Sequence, residues 1–118
     1  MKNRPFRERL GFALEGLAHA LRTERSLRAQ AVIAVLALLA LALLRPAPVW
    51  WALVGLLCVL VLAAELFNTA LEELADHLHP ERDPRIRRVK DLAAAAVLML
   101  SLGALWVAAL MLLSVLRP

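Results

Sequence analysis

Three long apolar stretches, separated by short polar breaks, set the layout of this chain. The first runs from Ala31 to Leu44, extended by Ala29 and interrupted by Gln30. The second, Val49 to Ala64, carries no charge at all. The third, Leu92 to Leu116, is broken by Ser101, Gly103 and Ser114. A helix needs roughly 20 mostly apolar residues to cross the hydrocarbon of a bilayer. The third run meets that length outright, and the first two meet it if each borrows a polar turn, around 27–30 and 65–70. The pattern therefore predicts spans over about 27–45, 48–70 and 90–116. Ahead of them Phe6, Leu10, Ala13/Leu14, Leu17 and Leu21 recur at three- and four-residue spacing, with Arg7, Glu8, Glu15 and Arg22 elsewhere on the wheel. That is an amphipathic helix over about 5–22, suited to the membrane interface. Pro46 and Pro48 predict a turn between the first two spans, with Trp50 and Trp51 where an interfacial aromatic belt belongs. His79 to Pro84 reads as a loop, and a helix from Arg85 runs into the third span. Ala93 to Ala96 form a small-residue patch that permits close helix approach.

Composition agrees with this layout. The chain has 118 residues, is 62% hydrophobic and has a mean hydropathy of +0.70. A length of 118 residues supports one domain, over 1–118, and cannot bury three such helices in water. The expected fold class is an all-α membrane protein. Cys58 stands alone inside a span and serves as an apolar filler. No cleavable signal sequence is evident, because the first apolar run begins far from Met1.

Charge sets the orientation. Residues 1–28 carry seven Lys/Arg against three Glu, and the 72–91 connection carries five Lys/Arg, whereas the Arg45–Pro48 turn and the C-terminal tail carry one each. The positive-inside rule places the N-terminus and the 72–91 connection in the cytoplasm, and the turn and Pro118 outside. The net charge of +4 is ordinary for a membrane protein, and the basic segments lack interleaved aromatics, so no nucleic-acid partner is expected.

The chemistry concentrates where the second apolar run ends. A helix continuing through Glu65, Asn68, Glu72 and Asp76 places them on one stripe, at spacings i, i+3, i+7 and i+11. Carboxylates at the mouth of a span are costly unless paired, metal-bound or used. A solvated helix end is the plain alternative, as is a solvated ion pair for Glu24, which lies before the first span among Arg22, Arg25 and Arg28. Lys90-Asp91 marks the mouth of the third span, where a snorkelling Lys and a helix-start Asp compete with a phosphate-gripping pair. His77 and His79 face different ways on a helix and have no Cys near, which argues against zinc. The chain has no Gly-x-x-x-x-Gly-Lys-Ser/Thr loop.

Glu65-x-x-Asn68-x-Ala70-x-Glu72-x-x-x-Asp76, followed by Lys90-Asp91 and an Ala-rich span, resembles the prokaryotic diacylglycerol kinase family of small membrane kinases, which includes the undecaprenol kinases. Gly11-Phe12-x-x-x-Gly16-Leu17 and the segment Ala20 to Arg28, with Glu24, resemble its upstream pattern, so the likeness covers nearly the whole chain. The resemblance implies a homotrimer in the bacterial inner (plasma) membrane, with three spans and one surface helix per subunit. It implies transfer of the ATP γ-phosphate to the primary hydroxyl of a membrane lipid, with Mg²⁺ as cofactor. By the same resemblance Glu65 is the general base beside the lipid hydroxyl, with Asn68 supporting base and substrate. Glu24 and Glu72 hold the cation and, through it, the nucleotide. Lys90 grips the polyphosphate with Asp91 beside it, Asp76 supports the nucleotide end, Glu81, Arg82 and Asp83 form the nucleotide loop, and Phe12 covers the nucleotide. The imported roles suit the physics, since phosphoryl transfer needs positioning and charge neutralisation, and Mg²⁺ takes one or two carboxylates plus phosphate oxygens.

The chain departs from the family pattern at three places. Ser26 stands where many members carry Asn, Gln30 where undecaprenol-kinase-like members often carry His, and Arg82-Asp83 replaces a more usual aromatic-His pair. These positions bear on nucleotide and lipid choice. Diacylglycerol is the leading substrate. Undecaprenol is the alternative, toward which Arg22-Thr23-Glu24-Arg25 and Pro80-x-x-x-Pro84 lean. A third reading, a non-catalytic membrane subunit docking a partner through the acidic face, leaves Lys90-Asp91 and Glu24 unexplained.

Overall fold

The computed structural model describes residues 3–117. Lys2 and Pro118, used in the topology argument, lie outside the described residues. The described chain folds into four helices, α1 (Phe6–Thr23), α2 (Arg25–Leu44), α3 (Pro48–Leu78) and α4 (Pro84–Leu116). Helices α2, α3 and α4 are each long and apolar enough to cross a membrane.

Element boundaries follow local chemistry. Glu24 alone separates α1 from α2: its extended backbone (φ −106°, ψ 110°) ends one helix and begins the next. Its N–H still bonds the Ala20 carbonyl at 2.8 Å, and its own carbonyl accepts from Arg28 N at 3.2 Å. The turn after α2 differs from the two-proline reversal expected from sequence. The reversal is made at Arg45, whose φ of 50° is left-handed, while Pro48 is absorbed into the first turn of α3. Proline suits that position because its missing N–H has no helical partner there. At the other end Asp83 caps α4, its Oδ1 accepting from Arg85 N at 2.7 Å.

Helix α3 is the hub, packing on α1, α2 and most extensively on α4. The core gathers near the Arg45 turn, where Leu41, Val54 and Met111 are buried against Ala37, Leu44, Trp50, Cys58, Val107 and Val115. Trp50 thus packs inward, while Trp51 is exposed as a belt residue should be. Leu27, 1% exposed, pins the first turn of α2 at the opposite end. Most other large apolar side chains of the spans face outward, as lipid-facing surfaces do. Helix α1 buries Ala20 and leaves Phe6, Leu10, Phe12, Leu14 and Leu17 exposed.

Helix α3 has 31 residues, a length of about 46 Å against the roughly 30 Å of bilayer hydrocarbon. The helix is thus long enough to extend beyond the apolar layer, and the polar stripe occupies its C-terminal part, from Glu65 on.

Candidate active site

The stripe grades from buried to exposed. Glu65 is 6% exposed and is the buried charged residue among the described residues. Asn68 and Glu72 are half-buried and Asp76 is exposed. One helical face thus carries acidic groups from a dry interior to solvent over eleven residues.

Each polar residue on this face has a distinct partner. Glu65 is met by α2, where Ser26 Oγ donates to Glu65 Oε2 at 3.1 Å. Glu24, the residue that precedes α2, makes no side-chain cap, and the hydroxyl of Ser26 in the first turn reaches across to α3. One turn beyond Glu65, Asn68 Nδ2 donates to Glu72 Oε1 at 3.2 Å. Asn68 Oδ1 is buried and has no hydrogen-bond partner among the described residues. Asp76 Oδ1 accepts from Lys90 Nζ, joining the ends of α3 and α4.

Beyond that pair a cleft of about 650 Å³ opens, lined by Asp76, Glu81, Arg82, Asp83 and Lys90 together with His79 and Arg87. His79, the residue that ends α3, pairs through Nε2 with Asp83 Oδ2 at 3.3 Å. Asp83 thus caps α4 with one oxygen and holds the end of α3 with the other. The cleft mixes three acidic residues with Arg82, Arg87 and Lys90, a set able to meet both the anionic and the hydrogen-bonding parts of a polar ligand.

A family model described as prokaryotic diacylglycerol kinase matches residues 11–112. The chain belongs to the prokaryotic diacylglycerol kinase family. The match spans the Glu24 break, the stripe, the cleft and nearly all of the third long helix. Membership points to a lipid kinase, and the three apolar helices fit a multi-pass membrane protein. No curated protein matches the chain.

The structure gathers some of the kinase residues expected from sequence and leaves others apart. Asp76, Glu81, Arg82, Asp83 and Lys90 share one cleft. Asn68 and Glu72 are bonded to each other. Glu24 stands half-buried at the α1–α2 junction, two residues before the serine that touches Glu65. Phe12 is exposed on α1, with the Arg4 guanidinium 5.9 Å from its ring centre, and it is not among the cleft-lining residues. Asp91 is not among the cleft-lining residues and pairs with one of them, Arg87, through its Nε at 3.1 Å. Sequence reasoning missed His79 and Arg87 as cleft residues; the i,i+4 spacings His79–Asp83 and Arg87–Asp91 were the signal available. It also missed the contact of Ser26 with Glu65, which no local spacing reveals.

No group of three or more His, Cys, Asp or Glu gathers among the described residues, so any divalent cation would have to be held by one or two carboxylates, of which Glu24 and Glu72 are the expected pair. Mg²⁺ is commonly held in that way, with phosphate oxygens and water completing its shell.

Proposed function

We propose that this kinase transfers the γ-phosphate of ATP to the primary hydroxyl of diacylglycerol, giving phosphatidic acid and ADP. The observation that carries this reading is the graded stripe: a buried carboxylate at apolar depth, continuous with a solvent-open cleft containing a lysine and two arginines. A lipid hydroxyl and a nucleotide can meet only where such depths join.

Glu65 is the general base in this reading. Its carboxylate accepts the proton of the lipid hydroxyl as that oxygen bonds to the γ-phosphorus and the bond to the ADP oxygen breaks. Asn68 holds Glu72 through its amide N–H and has its Oδ1 free for a substrate donor. Glu24 and Glu72 are the residues that would hold Mg²⁺, whose charge offsets that of the phosphates when bound. Lys90 gives up Asp76 for the polyphosphate; the Asp76 side chain is 65% exposed, and an ion pair so open to water is worth no more than about 1 kcal/mol. Asp91 supports this mouth from the α4 surface, and Phe12 is the aromatic that α1 would bring over the nucleotide.

In the same reading the protein sits in the bacterial inner membrane, with its N-terminus and the 72–91 connection cytoplasmic. The uncovered apolar face of α1 lies in the interface. The functional unit is a homotrimer, a state carried by the family resemblance.

The test is transfer of labelled phosphate from ATP by purified protein in detergent with Mg²⁺, offering diacylglycerol and undecaprenol in turn. Labelled phosphatidic acid is expected. Label in undecaprenyl phosphate alone would reassign the substrate, and label in neither lipid would reject the kinase reading in favour of a docking subunit.

A further inference from the structure

We infer that Ser26 is a positioning residue for phosphoryl transfer, holding the Glu65 carboxylate in the orientation that receives the lipid hydroxyl's proton. The inference rests on the proposed role of Glu65 as base. It adds a residue from a second helix whose hydroxyl fixes which oxygen of that base is free.

Ser26 Oγ donates to Oε2 at 3.1 Å, and among the described residues no side chain donates to Oε1. A carboxylate on a flexible side chain, without a second fixed point, samples many rotamers, and productive proton transfer requires hydrogen-bond reach in a defined direction. The donor is well placed to supply that point. Ser26 sits between Glu24, where the backbone breaks out of helix, and Leu27, which is 1% exposed and packed into the bundle. The first turn of α2 is therefore anchored on the residue after the serine. Among the described residues the Ser26 hydroxyl makes one hydrogen bond, the one to Glu65. The pair links residues 39 apart in sequence, tying the α1–α2 junction to the α3 stripe at the depth of the chemistry. A hydrogen bond to an ionised group is among the stronger ones.

The experiment is a cycle of four proteins, wild type, Ser26→Ala, Glu65→Gln and the double variant, with Ser26→Thr as the conservative control. Each is measured in detergent with Mg²⁺, ATP and diacylglycerol. Ser26→Ala is expected to lower kcat roughly tenfold or more with the KM for ATP unchanged, and Ser26→Thr to restore most of it. Added to Glu65→Gln, Ser26→Ala should cost little further, because the base it orients is already gone. A full additional loss in the Glu65→Gln background, or no rescue by Thr in a protein that melts like wild type, would make Ser26 a packing residue and overturn the inference. Normal kcat in Ser26→Ala beside a crippled Glu65→Gln overturns it while sparing the base. Normal turnover in Glu65→Gln overturns both.

Discussion

At the scale of single residues the stripe on α3 separates roles by depth. Glu65 is buried and bonded by one serine, and its proposed role is proton transfer. Glu65→Gln should lower turnover by about 10²–10⁴-fold while ATP binding is nearly kept, because the amide retains the shape and loses the base. Collapse of ATP affinity with turnover spared at saturation would make Glu65 a nucleotide or metal ligand. Glu72, half-buried and held by Asn68, is the proposed cation ligand. Glu72→Ala should abolish activity with the fold retained, and Asn68→Ala should cost about 10–100-fold as the loss of an orienting partner. Unchanged activity of Glu72→Ala at ordinary Mg²⁺ would remove it from the cation site. Lys90→Met tests the cleft. Methionine keeps an apolar stem and removes the ammonium, so the KM for ATP should rise about tenfold with the lipid KM little changed. A lysine that only anchors topology would leave the ATP dependence as it was.

At the scale of elements the site is made by helix ends. Glu24 breaks α1 from α2 and so brings Ser26 to α3. Asp83 serves two helices at once, capping α4 and pairing with His79 at the end of α3. Asp83→Ala removes both contacts and Asp83→Asn keeps a capping oxygen while losing the charge. Loss of an N-cap typically costs about 0.5–2 kcal/mol. Hydrogen exchange in the first turn of α4 should therefore quicken in Asp83→Ala and stay near wild type in Asp83→Asn; equal protection in all three proteins would show that the cap contributes nothing. The Arg45 reversal shows the limit of local signals. Two prolines predicted a turn, yet the residue that takes the left-handed conformation is a neighbouring arginine, a residue type that sequence rules do not assign there.

At the scale of the whole molecule the hydrophobic surface dominates. Few side chains are buried within the chain, and the exposed leucines, valines and tryptophans require lipid or further copies to cover them. The three crossings and the basic segments lead to a definite expectation. With Cys58→Ala as background, single cysteines at Asp83 and at Ala47 should react with a membrane-impermeant reagent from opposite sides. Cysteine at Asp83 should react only once the cytoplasmic face is opened, and cross-linking in native membranes should trap trimers. Labelling of both positions from one side would sink the topology, and a ladder ending at monomer would sink the trimer.

The three long apolar helices, a separate N-terminal helix and the stripe from Glu65 to Asp76 were legible in the sequence, and the loop expected over 79–84 was legible to within one residue, since Pro84 opens α4. They depend on local quantities: apolar run length, periods of 3.6 residues, prolines and charge asymmetry. The motif from Glu65 to Lys90-Asp91 was enough to recognise the family, because one helix and the connection that follows it carry it. Tertiary structure decided which members of the stripe are buried, that Lys90 rests on Asp76, and that Ser26 meets Glu65. Those outcomes depend on how α2 and α4 dock against α3. Burial and contact across helices are set by packing between segments far apart in sequence, and no spacing along a single segment encodes them.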